Sequence, residues 1–345
     1  MTQFINRILV IRRDNIGDLI CTTPLLSQLR QTYPQAQLDI LVNSYNYAAI
    51  ALNPDVNKVY AYTKGKHREA GQTLWRVYWQ RFQLLRQLKH QHYDVIILAG
   101  GFSSHAERLA QQITAPIIIG FPPSEGVSRI ITHPISTPSN TLHEVERTNY
   151  LLTALALEPK PSAIRLCSDP VLQNHFKQRL TQAPWYKNRP IIGLHISARK
   201  VDQRWSAEYF IDLIQQLHQE YSYQFMLFWS PGDESHAHHP GDNQKAQQII
   251  DAVTDTPLLP CPTHQLAELI AAMSLCDAVI CSDGGAMHIA AGLGKPIVCF
   301  FGSSNAQHWH PWGVPHVVLQ PDSQQVMDIK PLQVEEALAT LIPNE

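Results

Sequence analysis

Short aliphatic, β-branched runs alternate along this chain with segments of helical apolar spacing, and the alternation starts over once. Strands are expected at Ile8-Leu9-Val10-Ile11, over 38–42, 59–62, 94–98 and 116–120. Helices are expected over 19–33, where Pro34 ends the run, over 74–91 and over 142–157. Runs apolar on both faces are what buried parallel strands require. A loop-rich stretch occupies 121–140, and Glu158-Pro159-Lys160-Pro161-Ser162 reads as a linker. The pattern then resumes with strands over 191–195, 225–229, 278–281 and 296–301, and helices over 207–221, 244–253, 265–274, 287–293 and 334–341. A β-α-β order repeated in this way predicts an α/β protein of two Rossmann-like, doubly wound parallel-sheet domains facing across a cleft. The expected boundaries are 1–160 and 161–345, with a final helix able to pack back on the first domain. A length of 345 residues suits two domains. Ligands of open α/β sheets bind beyond the carboxyl ends of the strands, so the informative residues should lie in the loops after them.

Composition narrows the class. No apolar run approaches the ~18 residues of a membrane-spanning helix. The start, Met1-Thr2-Gln3-Phe4-Ile5-Asn6-Arg7, lacks a signal peptide's apolar core and cleavage site, so cytoplasmic residence is expected. Cys21, Cys167, Cys261, Cys276, Cys281 and Cys299 form no CxxC pair and are expected to be free, reduced and mostly buried. Charge is uneven: 17 Lys and Arg against 11 Asp and Glu through Arg165, then 10 against 18. A basic first half and an acidic second half suggest surfaces with different partners, or solubility alone. Nothing points to a nucleic acid.

Three segments follow strands and carry chemistry. Ser282-Asp283-Gly284-Gly285-Ala286-Met287-His288 leaves a strand and opens a helix. Its glycines let backbone approach a ligand, and the helix N-terminus attracts a phosphate. The same residues also suit a plain turn with Asp283 as helix cap. Arg12-Arg13-Asp14-Asn15-Ile16-Gly17-Asp18 follows the first strand. There Gly17 permits a tight turn, and Asp18 stands where a helix start favours a carboxylate, as general base or as cap. Ser197, Arg199, Lys200 and Arg204 in the loop before Trp205 offer hydrogen bonds to a diphosphate, or form a solvated basic loop.

Weaker signals accompany these. Asp233 or Glu234 could bind ribose hydroxyls from an exposed turn. Ser235-His236-Ala237-His238-His239 has no partner cluster to complete a metal site, and no Asp-x-Asp pair is present to hold a metal on a diphosphate. Neither GxGxxG nor GxxxxGK[ST] occurs, so no dinucleotide or P-loop fingerprint is present. The stretch 75–92 carries Arg76, Arg81, Arg86, Lys89 and His90 beside Trp75, Trp79, Phe82 and Leu85, and Lys64, Lys66 and Arg68 precede it. It suits an anionic membrane or acceptor, or a core-packed helix with a charged outer face.

Taken together, these motifs resemble glycosyltransferase family nine, the lipopolysaccharide core heptosyltransferases. The resemblance runs from Ile8 to Arg12 through Ile16-Gly17-Asp18, Thr23-Pro24-Leu25 and Tyr33-Pro34. It resumes at Ser282-Asp283-Gly284-Gly285 with His288, Ala290-Ala291 and Gly294-Lys295-Pro296, and ends at Phe301-Gly302 and Pro311-Trp312-Gly313. It implies the GT-B architecture, with an acceptor-binding first domain and a donor-binding second domain. It also implies an inverting transferase that uses a nucleotide-diphosphate sugar, typically ADP-heptose, with no metal or cofactor. Asp18 would be the base. Ser197, Lys200, Arg204, Trp205, Glu234, Asp283, Gly284, Gly285 and His288 would lie on the donor, and Arg12, Arg13, Asn15 and Gly17 on the acceptor side. The acceptor would be an anionic lipid A or core oligosaccharide precursor, with peripheral contact at the inner face of the inner membrane.

Three positions depart from the family pattern. Gln203 stands where the family often has a lysine, Gly284 where it has a threonine, and Gly302-Ser303-Ser304 where it has Gly-Pro-Thr. Two alternatives remain: a non-catalytic relative that binds a sugar nucleotide, and a sugar-nucleotide epimerase of the same architecture.

Overall fold

The computed structural model describes residues 5–63, 74–138, 141–233 and 241–342. The chain divides into two compact units, Met1–Arg165 and Leu166–Glu345.

In the first unit the aliphatic runs of the inner strands are buried on both faces, while the edge strand over 58–62 alternates buried and exposed residues. β1 (Arg7–Ile11) is followed by two short helices, α1 (Ile16–Ile20) and α2 (Thr23–Thr32), then by β2 (Gln37–Asn43) and β3 (Lys58–Tyr62). The single helix expected over 19–33 is therefore two. It begins earlier than expected, and it is interrupted at Cys21 and Thr22. Pro24 is the reason, because its ring and missing N–H bar it from a continuous helix but suit the first turn of α2. α3 (Leu74–Lys89), β4 (Val95–Leu98), α4 (Ser104–Ile113), β5 (Ile117–Gly120) and the two-residue β6 (His133–Pro134) follow. The helix expected over 142–157 is α5 (Glu144–Asn149) and then a 3-10 turn, Tyr150–Leu155. The strands form one parallel sheet in the order β3-β2-β1-β4-β5-β6. Leu9, Ile11, Leu41, Ile96 and Leu98 meet Leu109 and Ile113 of α4 and Leu88 of α3 in its core.

The second unit opens with α6 (Pro170–Thr181), β7 (Ile191–His195), a 3-10 turn at Val201–Gln203, α7 (Ala207–Tyr221), β8 (Gln224–Trp229) and α8 (Asn243–Ala252). β9 (Leu258–Pro262), α9 (Leu266–Met273), β10 (Ala278–Ser282) and α10 (Gly285–Gly292) continue it. β11 (Ile297–Phe300), α11 (Ala306–Trp309), β12 (His316–Leu319) and α12 (Pro331–Leu341) complete it. The sheet order is β12-β11-β10-β7-β8-β9, parallel at every pairing. Val334, Ala337 and Leu338 of α12 join Leu194, Phe210, Phe225 and Ile280 in one core. Each fully buried Phe or Leu there contributes roughly 1.5–3 kcal/mol.

Both sheets share one topology: two strands run outward from the first, and the chain then crosses to the first strand's other side. The crossover places β1 beside β4 and β7 beside β10. At such switch points the loops beyond the strand ends diverge and leave a crevice. All six cysteines are free, and all but Cys167 are buried. Burial pushes the Cys261 thiol up to about 12. Among the described residues no helix is long and apolar enough to cross a membrane.

Candidate active site

Beyond β1 the chain turns through Arg12–Asn15 and enters α1 with Asn15 as its cap. Asp18 is the third helical residue and closes a capping box. Its Oδ2 accepts from the Asn15 backbone N–H at 3.1 Å and from Asn15 Nδ2 at 3.0 Å. Its Oδ1 accepts from Arg12 Nη2 at 2.8 Å. The side chain keeps 16% of its surface exposed. A carboxylate offers about four lone-pair positions, so Oδ1 retains capacity for a further donor.

Arg12 itself is buried. Its guanidinium pairs with Glu144 at 2.7 Å, with Asp18 at 2.8 Å and with Asp14 at 3.2 Å, and donates to the Ala99 carbonyl. Burial alone would lower its pKa, but the attraction of Glu144, then of Asp18 and Asp14, outweighs that and raises it above the ordinary arginine value. Glu144 is closed from its other side by Arg147, through Nε at 2.7 Å and Nη2 at 2.9 Å. A Cβ at Gly100 would meet Asp14 Oδ2 at 2.6 Å, so a larger residue there would push the Asp14 carboxylate from its place.

Two expectations for this loop are corrected. Arg12 does not line an acceptor surface; it is enclosed and holds the carboxylates in place. Gly17 makes no turn: it is buried inside α1, and its φ is not positive. Arg13 is half-buried with its guanidinium 4.1 Å above the Tyr62 ring. Asn15 is exposed at the rim. The Asp14 carbonyl accepts from Asn43, Tyr45 and Asn46, which pins the loop's shape. A cavity of about 130 Å³ opens beside it, lined by Arg13, Asp14, Gly101, Phe102, His105 and Phe121.

In the second unit β10 delivers Ser282 and Asp283 to the start of α10. Gly284 is the cap residue, at φ +154°, a backbone that side chains rarely adopt, and no side chain caps the helix. The first-turn N–H groups of a helix have no partner within it, so α10 presents them toward the turn. Asp283 is thus not the cap. Its Oδ2 accepts from Gln203 Nε2 at 2.8 Å, and the same nitrogen donates to Ser304 Oγ at 2.7 Å. Ser282 Oγ returns a bond to the Gln203 carbonyl at 2.7 Å. Asp202 accepts from the Ser303 N–H and hydroxyl, and Gln320 donates to the Gly302 and Ser304 carbonyls. The loops after β7, β10 and β11 are therefore one hydrogen-bonded frame around the end of α10.

Trp205 is corrected as well. It is buried against Phe210, Phe300 and Tyr209, and its indole N–H donates to the Ile329 carbonyl. A ring so enclosed anchors the loop to the core and offers no face to a donor. His288 is buried behind the turn, edge-on to Trp309. Ser197 accepts from the Ser230 N–H at 2.9 Å, Arg204 donates to the Ala198 carbonyl, and Arg199 and Lys200 are exposed. Asp233 is exposed at the end of its turn. Glu234, with the His-rich segment 235–239 and Lys64, Lys66 and Arg68, lies outside the described residues.

The sequence profile of glycosyltransferase family 9 (heptosyltransferase) matches residues 81–338. The chain belongs to this family. Among its relatives is lipopolysaccharide heptosyltransferase 2 of Escherichia coli (strain K12), 24% identical over 98% of this chain and 99% of the relative. The glycosyltransferase family 9 structure from Veillonella parvula DSM 2008 superposes with a TM-score of 0.83 at 20% identity, covering 99% of this chain and 98% of that one. The structure of E. coli heptosyltransferase WaaC with ADP-2-deoxy-2-fluoro heptose gives 0.75 at 18%, covering 97% and 99%. The architecture is GT-B, two Rossmann-like units, and the protein is a glycosyltransferase.

Within this family-9 chain, sequence reasoning missed several residues. Glu144 completes the Arg12 cluster from 132 residues away, with Arg147 behind it, a separation that carries no local signal. Lys245 of α8 donates to the Ile196 and Trp205 carbonyls at 3.0 and 2.6 Å and ties down the ends of the loop after β7. Burial, and then the Lys245 charge, push His195 down to about 4, so the imidazole is neutral at neutral pH.

Proposed function

We propose that this glycosyltransferase moves a sugar, a heptose from ADP-heptose, onto an anionic lipopolysaccharide or lipooligosaccharide core acceptor with inversion. Asp18 Oδ1 takes the proton of the acceptor hydroxyl as that oxygen attacks the anomeric carbon. The bond from that carbon to the diphosphate breaks, and ADP leaves. The α10 amides at Gly285, with Lys200 and the hydroxyl of Ser197, receive the charge of the leaving diphosphate. Such stabilisation by amides and side chains needs no metal or cofactor. Gly284 gives the diphosphate close access to backbone, and Asp283 accepts from sugar hydroxyls. His288 and Trp205 support the turn from behind. Arg13 and Asn15 flank the acceptor side.

One observation carries this reading. Asp18 is fixed through both carboxylate oxygens by Arg12 and Asn15 yet stays partly open to solvent. That combination suits a base whose geometry is set before substrate arrives. The names of the heptosyltransferase relatives support a heptose donor and a core acceptor. A membrane-borne acceptor places the enzyme in the cytoplasm, peripheral to the inner face of the inner membrane.

Asp18→Asn tests it, because the amide keeps an acceptor oxygen for Arg12 but cannot take a proton. With ADP-heptose and a truncated core acceptor, turnover should fall about 10²–10⁴-fold. Thermal stabilisation by ADP, and not by UDP or GDP, should persist. Undiminished turnover removes Asp18 as the base. Donor binding without transfer by the unmutated protein, over a broad acceptor panel, favours a binding relative. Interconversion of a UDP-sugar without acceptor favours the epimerase.

A further inference from the structure

The sequence 74–89 makes one helix with two apolar faces, of which the described residues cover one. Val77 and Leu88 are buried, Leu84 and Leu85 pack on the sheet core, and Arg81 lies 4.8 Å from the Tyr62 ring centroid. That face seats α3 on its unit. On the other side Trp75, Tyr78, Trp79 and Phe82 stand at successive helical turns with exposures of 85, 60, 60 and 57%. Trp79 and Phe82 stack on each other with ring centroids 5.9 Å apart. Four large aromatics gathered in water within three turns form a patch that a monomer's folding does not account for.

The charge around the patch says what covers it. α3 carries Arg76, Arg81, Arg86 and Lys89 and has no acidic residue anywhere along its length. Arg76, Arg86 and Lys89 are exposed beside the aromatic stripe. Amphipathic rings flanked by cations are the chemistry of an anionic lipid interface. Tryptophan and tyrosine sit at headgroup depth, and arginine and lysine meet the phosphates. Cations without a single acid along the helix complement a surface of one sign, that of anionic headgroups.

We propose that the outer face of α3 is a membrane-docking surface that lies on anionic phospholipid. Its aromatic stripe enters the headgroup region, and Arg76, Arg86 and Lys89 rest on phosphates. The inner face stays on the core, so docking needs no unfolding. The proposal rests on the peripheral location given above but not on the transfer step, so loss of vesicle binding and loss of turnover are separate outcomes.

Co-sedimentation of the full chain with vesicles tests it. The protein should bind phosphatidylglycerol–phosphatidylethanolamine vesicles, bind phosphatidylcholine vesicles far less, and be released by high salt. The triple change Trp75→Ser, Trp79→Ser and Phe82→Ser should lower partitioning by about tenfold or more. Arg76→Gln, Arg86→Gln and Lys89→Gln should each cost up to about fivefold on the anionic vesicles, the equivalent of ~1 kcal/mol per charge. Circular dichroism should be unchanged, because all six positions are exposed. Absence of binding by the unmutated chain, or equal binding by the triple-serine form, overturns the proposal. So does a concentration-dependent dimer that the serine changes dissolve, since the stripe would then cover a second copy.

Discussion

Arg12 links three carboxylates of quite different purpose. Glu144 is buried and joins the Arg12 guanidinium to Arg147, Asp14 closes the loop, and Asp18 is left partly open. Removing the cation leaves a buried charge with less compensation, which is costly in a low-dielectric interior. Arg12→Met should lower unfolding free energy by about 3 kcal/mol in urea titrations, the low end for a broken buried pair because Arg147 still holds Glu144. A loss under ~1 kcal/mol means the cluster orders the site without stabilising the fold. His195 gives a pH effect of definite sign. Its pKa falls from an ordinary value near 6.5 to about 4 in the fold. Its share of stability is then complete above pH ~6.5 and is lost as pH drops from there toward 4, up to ~3 kcal/mol. His195→Gln should flatten the fall in urea midpoint between pH 7 and 4.5, and an unchanged slope assigns acid sensitivity elsewhere.

The turn before α10 depends on what Gln203 does. A neutral amide bridges Asp283 and Ser304 where the family often carries lysine, so the carboxylate is oriented without being neutralised. Gln203→Ala should raise the KM for the sugar nucleotide by about tenfold, worth ~1.4 kcal/mol, with a smaller change in kcat. Equal loss in kcat would place Gln203 in the chemical step instead. Elements of this kind were unevenly legible. α7 was readable to the residue because Ser206 caps it and its apolar spacing is clean. Asp283 and the glycines were readable because they follow a strand. α6 was missed although Asp169 before Pro170 is a cap signature, since its helical face is weakly apolar. β9 was missed because Pro260 and Pro262 interrupt it, which only an edge strand tolerates. The Arg12–Glu144 pair and Lys245 were out of reach, because local spacing says nothing about contacts made across a sheet.

Over the whole molecule, the change of charge coincides with the boundary between units. The unit ending at Arg165 carries a net +6 and the unit beginning at Leu166 a net −8. On the proposed reading, a strongly acidic unit binds a diphosphate by short-range means, through amides at α10 and a few cations. A basic unit can attract an anionic acceptor from a distance. Raising ionic strength from ~50 to ~300 mM shortens the screening length about twofold. It should raise the KM for an anionic acceptor several-fold while moving that for the sugar nucleotide less. The reverse ranking would separate net charge from substrate capture. The two-unit fold was legible in the restart of the β-α-β pattern after the prolines near 160. The split of α1 from α2 was not, because its cause, Pro24, reads equally well as a first-turn residue or as an interruption.

One contact at the far side of β8 has a consequence for how this scaffold can vary. Gly232 and Gly241 meet so closely that a Cβ on Gly241 would lie 2.2–2.4 Å from Gly232 backbone atoms, and the Gly241 N–H bonds to the Asp233 carbonyl. The chain thus departs and returns through a neck whose width is set by two missing methyl groups. Between β8 and α8, Gly241 has no room for a side chain and Gly232 holds φ +142°, so substitution at either glycine should strain the approach of the two segments.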